Sequence, residues 1–218
     1  MSRFADIKTV ALAGLIALGL MAHSAPAHAA DTETLTVAGG CFWCVEADFE
    51  KVKGVTGAVS GFAGGRTENP TYKEVTGGNT GHFEAVQISF DPDVVSANAL
   101  LDLFFRSIDP TDAGGQFCDR GDSYRTAVFA SSAQKAAAQK AKADAQAALG
   151  QTIVTPILDA AQFYPADAYH QDYYKGNKLV LTRFGPKKQA SAYNAYRDAC
   201  GRDQRVKQLW GSDAPFAS

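Results

Sequence analysis

Two cysteines three residues apart carry the strongest chemical signal in the sequence. Cys41 and Cys44 form a C-x-x-C pattern inside residues 40–46 (GCFWCVE). This spacing recurs where disulfides are made and broken, and a cysteine nucleophile needs thiolate character together with access. Gly39 and Gly40 precede a helical pattern that starts at Cys41, where the helix dipole favours a thiolate. We therefore predict a reactive thiolate at Cys41.

Phe42 and Trp43 place two large rings beside this thiol. Aromatic side chains at a helix start usually turn into the core. Two rings next to a candidate thiolate fit better as the wall of a pocket that receives a small apolar group.

Cys118 and Cys200 complete a set of four cysteines. An even number of cysteines would also fit two structural disulfides if the chain is exported, as its first thirty residues indicate. A domain of this length rarely depends on them, unlike small secreted scaffolds. We therefore expect the cysteines to take part in redox chemistry.

Alternating strand and helix patterns surround the cysteines and must position them. The helix over residues 41–52 buries Phe42, Val45, Phe49 and Val52. The other predicted elements are a strand over 35–37, a strand over 85–90 with Val86, Ile88 and Phe90 on one face, a helix from the Ser96 cap to Ile108, a strand over 126–130, a helix capped by Ser131 or Ser132 that runs to Leu149, and an edge strand over 153–158. Residues 61–81 and 111–124 are predicted as glycine-rich loops, and residues after 158 as irregular.

The first thirty residues read as a secretion signal. Arg3 and Lys8 make the start basic, residues 10–22 are apolar but fall short of the ~20 needed to span a bilayer, and residues 27–29 (AHA) suit cleavage. The signal holds two of the 21 Lys and Arg residues and one of the 23 Asp and Glu residues, so residues 31–218 carry 19 against 22, a net charge of −3. We expect one exported domain over 31–218 in the periplasm, with no nucleic-acid or membrane partner.

Read with four later segments, residues 40–46 resemble the A-type peptide methionine sulfoxide reductases. The segments are 69–75 (NPTYKEV), 80–86 (TGHFEAV), 115–125 (GQFCDRGDSYR) and 200–205 (CGRDQR) with 209–211 (LWG). They follow in order over almost all of residues 31–218, which makes the resemblance far more specific than one motif. It is weakest over 179–194.

The resemblance implies reduction of the S epimer of methionine sulfoxide, free or in oxidised proteins, to methionine. By position, Cys41 attacks the sulfoxide sulfur and becomes a sulfenic acid, and Glu84 protonates the oxygen. The same match implies that Phe42 and Trp43 hold the methyl group. Tyr72, Asp119 and Tyr124 match the polar partners of the oxygen. A sulfoxide oxygen leaves only after it takes up protons, so an acid of raised pKa suits the reaction.

A second thiol must resolve the sulfenic acid. Cys200 best matches the family's recycling cysteine, in a tail expected to be flexible. Two other cysteines are candidates for the same role. Cys44 lies one helical turn from Cys41, and Cys118 is next to Asp119. The sequence does not show which cysteine reacts with the sulfenic acid first. The resemblance implies a recycling partner of the thioredoxin type, no bound cofactor and no metal, and we expect a monomer.

Three other functions compete with this interpretation. A general disulfide oxidoreductase would use the C-x-x-C of Cys41 and Cys44. A cysteine hydrolase would need His82 or His170 as its base, and a disulfide-stapled binding domain would have no catalytic thiol. The expected fold is α/β, a two-layer sandwich around a mixed sheet, with the ferredoxin-like core that the resemblance implies and an irregular C-terminal tail.

Overall fold

Strands and helices alternate along the part of the chain that the computed structural model describes, residues 32–217. The predicted secretion signal lies outside these residues. The strands are β1 (Glu33–Gly39), β2 (Val55–Ala63), β3 (Phe83–Phe90), β4 (Gly115–Gln116), β5 (Asp119–Arg120), β6 (Thr126–Ala130), β7 (Ile157–Asp159), β8 (Phe163–Pro165), β9 (Leu179–Thr182) and β10 (Gly185–Lys188). The α-helices are α1 (Phe42–Phe49), α2 (Tyr72–Thr76), α3 (Ala97–Arg106), α4 (Lys135–Leu149), α5 (Gln189–Ala199) and α6 (Arg202–Trp210). Among these helices, none has the length and apolar character that a bilayer crossing requires.

A mixed sheet in the strand order β7-β6-β1-β3-β2-β8 forms the centre of the fold. Strand β1 pairs antiparallel with β3 and β6, and β7 joins β6 in parallel at one edge. The path β1-α1-β2-β3-α3-β6 with its strands in the order β6-β1-β3-β2 is the ferredoxin-like arrangement. The expected α/β fold and its mixed sheet are therefore confirmed, and the strand over 153–158 is shorter than predicted but does lie at an edge.

The main core lies between this sheet and its helices. Phe42, Val45 and Phe49 of α1 are buried there, and Val86, Ile88 and Phe90 of β3 face them. The helix and strand periodicities are therefore confirmed. A smaller cluster, centred on Phe83 and Phe129, covers the other face of the sheet.

Two helix starts test the predicted caps. The Ser96 side chain accepts the Ala99 N–H at 3.2 Å, so the predicted cap of α3 is confirmed. The prediction for α4 is wrong at its start, because the helix begins at Lys135 after Gln134 and no serine side chain caps it. Its end at Gly150, in the left-handed region, is as predicted.

Strand β2 is one of the elements that the sequence pattern did not predict. The glycine-rich pattern predicts a loop from residue 61, whereas residues 55–63 form a strand that pairs with β3. A Cβ at Gly61 would lie 2.4 Å from the Tyr164 carbonyl oxygen and 2.5 Å from the Phe163 ring. Glycine is therefore needed there because β8 packs against this strand, not because the chain turns.

The expectation of an irregular C-terminal tail is wrong. Residues 179–188 form a hairpin of β9 and β10, and α5 and α6 follow it. Helix α5 ends at Ala199, so Cys200 lies at a helix end and is followed by Gly201 in the left-handed region. The position of Cys200 is thus set by two helices instead of a flexible tail.

Candidate active site

Cys41 lies at the start of α1, directly after β1. Its carbonyl oxygen accepts the Cys44 N–H at 3.0 Å, and its side chain is 8% exposed. Gly40 makes the turn with φ of +79°, and a Cβ there would lie 2.6 Å from Gln116 Cβ. The paired glycines are therefore needed to bring the thiol to the helix start, as the sequence predicts.

Aromatic rings form one wall beside Cys41. Trp43 stacks on Tyr173 with 3.8 Å between ring centroids, and Phe42 lies 6.0 Å from Tyr72. His170 stacks on Tyr72 at 4.3 Å and on Trp43 at 5.7 Å. Phe42 is also part of the main core. Phe42 therefore packs in the core and also contacts the wall, whereas Trp43 is half-buried and belongs to the wall.

Glu84 projects from β3 to the same place and is buried. Its Oε2 accepts the Phe42 N–H at 3.0 Å, so the carboxyl group occupies the start of α1 next to Cys41. Its Oε1 is buried and has no hydrogen-bond partner among the described residues. Burial raises the pKa of Glu84 to about 8. The group is therefore mostly protonated at neutral pH and can supply a proton.

Two phenols approach this carboxyl group. Tyr72 opens α2, where Thr71 and Glu74 form a capping box, and Tyr124 ends the short 3₁₀ turn Asp122–Tyr124. Burial raises the pKa of both phenols, and the charge of Glu84 raises it further. Both side chains therefore keep their hydroxyl protons at neutral pH, and their role as partners of the sulfoxide oxygen stays a prediction.

Asp119 connects the pocket to the remaining cysteines. Its Oδ1 accepts a hydrogen bond from the Tyr196 hydroxyl, and its Oδ2 lies 3.9 Å from Cys200 Sγ. Cys200 is joined to Cys118 in a disulfide that spans 82 residues of sequence. Cys118 is exposed, whereas Cys41 and Cys44 are free thiols and buried. The structure thus holds two reduced cysteines at the start of α1 and two oxidised cysteines beside Asp119.

A resting thiolate at Cys41 is not what the structure supports. Its hydrogen bond with the Cys44 thiol, its burial and the nearby carboxyl groups of Glu84 and Asp119 all raise the pKa of Cys41. The hydrogen bond from Cys41 and the charges of Arg202 and Arg197 instead lower the pKa of Cys44 to about 7. The hydrogen bond with Cys44, burial and the two carboxyl groups together outweigh the effect of the helix start, so Cys41 must lose its proton as it reacts.

Arg202 is a residue that sequence reasoning did not single out, although it lies in the quoted segment 200–205. It is buried, donates to the Gly39 carbonyl at 3.1 Å and to the Ser107 carbonyl at 3.1 Å, and lies over the Phe117 ring. The first of these hydrogen bonds connects α6 to the end of β1 at Gly39, two residues before Cys41.

Glu46 is a second residue without a role in the sequence prediction, although it ends the segment 40–46. Its Oε1 accepts the Asp172 N–H at 2.6 Å, and its Oε2 accepts the Ser60 hydroxyl. The bond to Asp172 holds the segment that presents His170 and Tyr173 to the aromatic wall. Burial raises the pKa of Glu46 to about 7.

This carboxyl group predicts a pH dependence of stability. Its pKa rises from 4.5 to about 7 on folding, so the folded state binds more protons in that window and the free energy of unfolding falls as pH increases through it. In Glu46→Gln the amide oxygen can accept the Asp172 N–H and the amide NH2 can donate to the Ser60 hydroxyl oxygen, and the side chain no longer titrates. Between about pH 5 and pH 8, we expect the free energy of unfolding to fall by about 1–3 kcal/mol less in this variant than in the wild type. Urea unfolding at both pH values measures this, with the exposed Glu68→Gln as control. Parallel pH profiles for Glu46→Gln and the wild type would contradict it.

His82 and His170, the two histidines among residues 32–217, have structural contacts. His82 Nδ1 accepts the Gly65 N–H at 3.0 Å, and its Nε2 lies 2.8 Å from the Thr67 carbonyl, so it fixes the loop before β3. His170 supports the pocket wall by stacking, and burial lowers its pKa. These contacts give the hydrolase interpretation no supporting geometry.

A family model described as peptide methionine sulfoxide reductase matches residues 33–212. The chain is 48% identical over 197 residues to the peptide methionine sulfoxide reductase MsrA 2 of Caulobacter vibrioides, covering 89% of this chain and 94% of that protein. It is 47% identical over 190 residues to the MsrA 2 of Rhizobium meliloti, covering 87% and 89%.

Solved structures show the same fold. Mxr1 from Saccharomyces cerevisiae in reduced form matches with a TM-score of 0.62 and 33% identity, over 66% of this chain and 84% of that one. Methionine sulfoxide reductase A of Corynebacterium diphtheriae matches with a TM-score of 0.61 and 32% identity, over 70% and 78%.

Proposed function

The chain belongs to the peptide methionine sulfoxide reductase family, and on that premise we propose that its Cys41 pocket reduces methionine S-sulfoxide to methionine. The chain is an enzyme that uses thiols for this reduction. The observation that carries the assignment of the site is the buried Glu84 carboxyl group, whose Oε2 accepts the Phe42 N–H at the helix start next to Cys41 and whose Oε1 has no hydrogen-bond partner among the described residues. Release of methionine from the S epimer but not the R epimer, with dithiothreitol as reductant, tests the proposal, and absence of turnover with the S epimer refutes it.

The sulfoxide lies with its methyl group against Phe42 and Trp43 and its oxygen toward Glu84, Tyr72 and Tyr124. Cys41 attacks the sulfoxide sulfur while Glu84 protonates the oxygen. The protonated oxygen then moves to the Cys41 sulfur, which breaks both its bond to the substrate sulfur and the new sulfur–sulfur bond. This leaves methionine and a Cys41 sulfenic acid, so the substrate sulfur gains the two electrons that the cysteine sulfur loses. The proton that Cys41 gives up returns to Glu84. The phenols donate hydrogen bonds as negative charge develops on the oxygen.

A disulfide relay then restores Cys41. The Cys200 thiol attacks the sulfenic acid, which releases water and forms a Cys41–Cys200 disulfide. Cys118 then attacks Cys200, which frees Cys41 and leaves the Cys118–Cys200 disulfide. The redox state in the structure supports the end point of this relay, because Cys118 is paired with Cys200 while Cys41 is free. Cys118 is exposed, so an external dithiol can reach the final disulfide.

Replacing Cys200 with serine separates the two halves of this cycle. We expect Cys200→Ser to form one methionine per enzyme in a first turnover at a normal rate. Turnover supported by thioredoxin should fall at least about a hundredfold, because the sulfenic acid has lost its partner. Rapid-quench and steady-state assays measure the two rates. Cys44→Ser is the control and should retain thioredoxin-supported turnover; loss of steady-state turnover in Cys44→Ser alone would contradict the relay.

The cellular setting is part of the same proposal. The apolar segment at residues 10–22 and the basic residues before it support export to the periplasm, with cleavage near Ala29. The electrons are proposed to come from a thioredoxin-like donor, with no bound cofactor or metal. Free and protein-bound methionine sulfoxide are both proposed substrates, and the enzyme is proposed to act as a monomer.

One observation favours a second activity. The Cys41 and Cys44 thiols share a hydrogen bond, and the lowered pKa of Cys44 would help them exchange with external disulfides as a C-x-x-C pair. A general disulfide oxidoreductase of this kind would reduce insulin and would depend on Cys44 as strongly as on Cys41. It would not depend on Glu84.

A further inference from the structure

The hairpin of β9 and β10 carries an apolar, basic surface beside the active site. Three of the seven large apolar side chains exposed among the described residues lie in it, namely Leu179, Leu181 and Phe184. Leu179 is 75% exposed and Leu181 is 86% exposed, the two highest values in that set. They alternate with Val180, which packs toward the cluster around Cys41 and Cys44. The hairpin therefore buries one face and offers the other to solvent.

The charge of this hairpin differs from that of the chain as a whole. Residues 178–188 contain Lys178, Arg183, Lys187 and Lys188 and no acidic residue, a charge of +4 in a chain whose net charge is −2. The register pairs Leu179 with Lys188 and Leu181 with Pro186. Apolar and cationic side chains thus share the exposed face, which suits a partner that combines apolar and acidic residues.

A groove lies between the hairpin and the aromatic wall beside Cys41. It has a volume of about 290 Å³ and is lined on one side by Thr182, Arg183 and Phe184 and on the other by the wall residues Trp43 and Tyr173. Arg183 lies 5.7 Å from the centre of the Tyr196 ring, which completes this lining. Since Trp43 belongs to both the groove and the methyl-binding wall, a chain that leaves the pocket can continue along the groove onto the hairpin.

We propose that the exposed face of the β9–β10 hairpin and this groove bind an extended segment of the oxidised polypeptide that flanks the methionine sulfoxide. Apolar side chains of the segment contact Leu179, Leu181 and Phe184, and its carboxylates pair with the hairpin cations. Such a surface favours unfolded, acidic protein substrates over the free amino acid. The inference rests on the proposed function, since it names the substrate class for the same site.

The test compares two substrates on one variant. Leu179→Ser combined with Leu181→Ser alters only exposed side chains. It should lower kcat/KM about tenfold for a peptide of about twelve residues with methionine sulfoxide between leucine and glutamate, because two apolar contacts are lost. Turnover of free methionine sulfoxide and the KM for thioredoxin should not change. Val94→Ser with Val154→Ser, exposed outside the hairpin, is the matched control.

The charges are tested separately. Lys178→Glu combined with Lys188→Glu should lower kcat/KM more for the acidic peptide than for a peptide with lysine in place of glutamate, and added salt should reduce the difference. Unchanged peptide kinetics in both hairpin variants would overturn the proposal. A raised KM for thioredoxin with normal peptide kinetics would also overturn it, because the surface would then bind the reductant. If the wild type does not reduce free methionine S-sulfoxide, the proposed function is wrong, and the result says nothing about the hairpin.

Discussion

Cys41→Ser is expected to abolish methionine formation from the S-sulfoxide, with kcat/KM reduced by at least about 10³-fold. A serine hydroxyl at this position is far less nucleophilic than a thiol and cannot take up the sulfoxide oxygen as a sulfenic acid. The loss should appear with dithiothreitol as well as with thioredoxin, because it precedes every disulfide step. Stopped assays that quantify the methionine released from the S epimer of methionine sulfoxide measure this loss.

Cys44→Ser provides the matched comparison, since Cys44 is equally buried and lies one turn along α1. Its removal should reduce turnover by no more than a few fold, as it deletes only a hydrogen-bond partner of Cys41. Equal losses in the two variants, together with insulin reduction by the wild type, would favour the disulfide oxidoreductase.

Glu84→Gln is expected to lower kcat by about 10²–10⁴-fold, the range for loss of a general acid. Glutamine keeps the size of the side chain and can still accept the Phe42 N–H, so the start of α1 should be preserved. The variant lacks only the proton that the sulfoxide oxygen requires. Substrate KM should change little, since the methyl group is held by Phe42 and Trp43.

The pH profile gives this prediction a second readout. The pKa of Glu84 is raised to about 8, and the reactive form is the protonated acid. Activity of the wild type should therefore fall as pH increases through about 8, and this descending limb should be absent in Glu84→Gln. Glu68→Gln, an exposed carboxylate in the loop before β3, should behave as the wild type. A Glu84→Gln variant with normal kcat would show that the oxygen is protonated by another group.

The sequence predicts the elements that have regular side-chain periodicity. The buried stripe of α1, the alternation in β3 and the serine cap of α3 are all local patterns, and each appears in the structure where expected. Strand β2 and helices α5 and α6 escaped prediction. The glycines of β2 conceal a strand because they accommodate β8, and the helices of the C-terminal segment contain many polar residues with few large apolar ones.

The candidate site, too, was only partly predictable from the sequence. Residue types at a glycine turn were enough to select Cys41, and the family resemblance placed Glu84, Tyr72, Tyr124 and Asp119 around it. The electrostatics were not predictable, because the raised pKa of Cys41 depends on its hydrogen bond with Cys44, on burial and on carboxyl groups contributed by β3 and β5. The partners of Glu46 and Arg202 lie up to 163 positions away in sequence, so no local pattern indicates their roles.

The central claim is that Cys41 is the only cysteine that the chemical step requires. A variant with Cys44, Cys118 and Cys200 all replaced by serine retains only that thiol. After exposure to excess methionine S-sulfoxide without reductant, and with dimedone present to trap sulfenic acid, we predict one methionine released per enzyme. Mass spectrometry should place a dimedone adduct on Cys41. A folded variant that releases no methionine and carries no adduct, while the wild type turns over, would contradict the account.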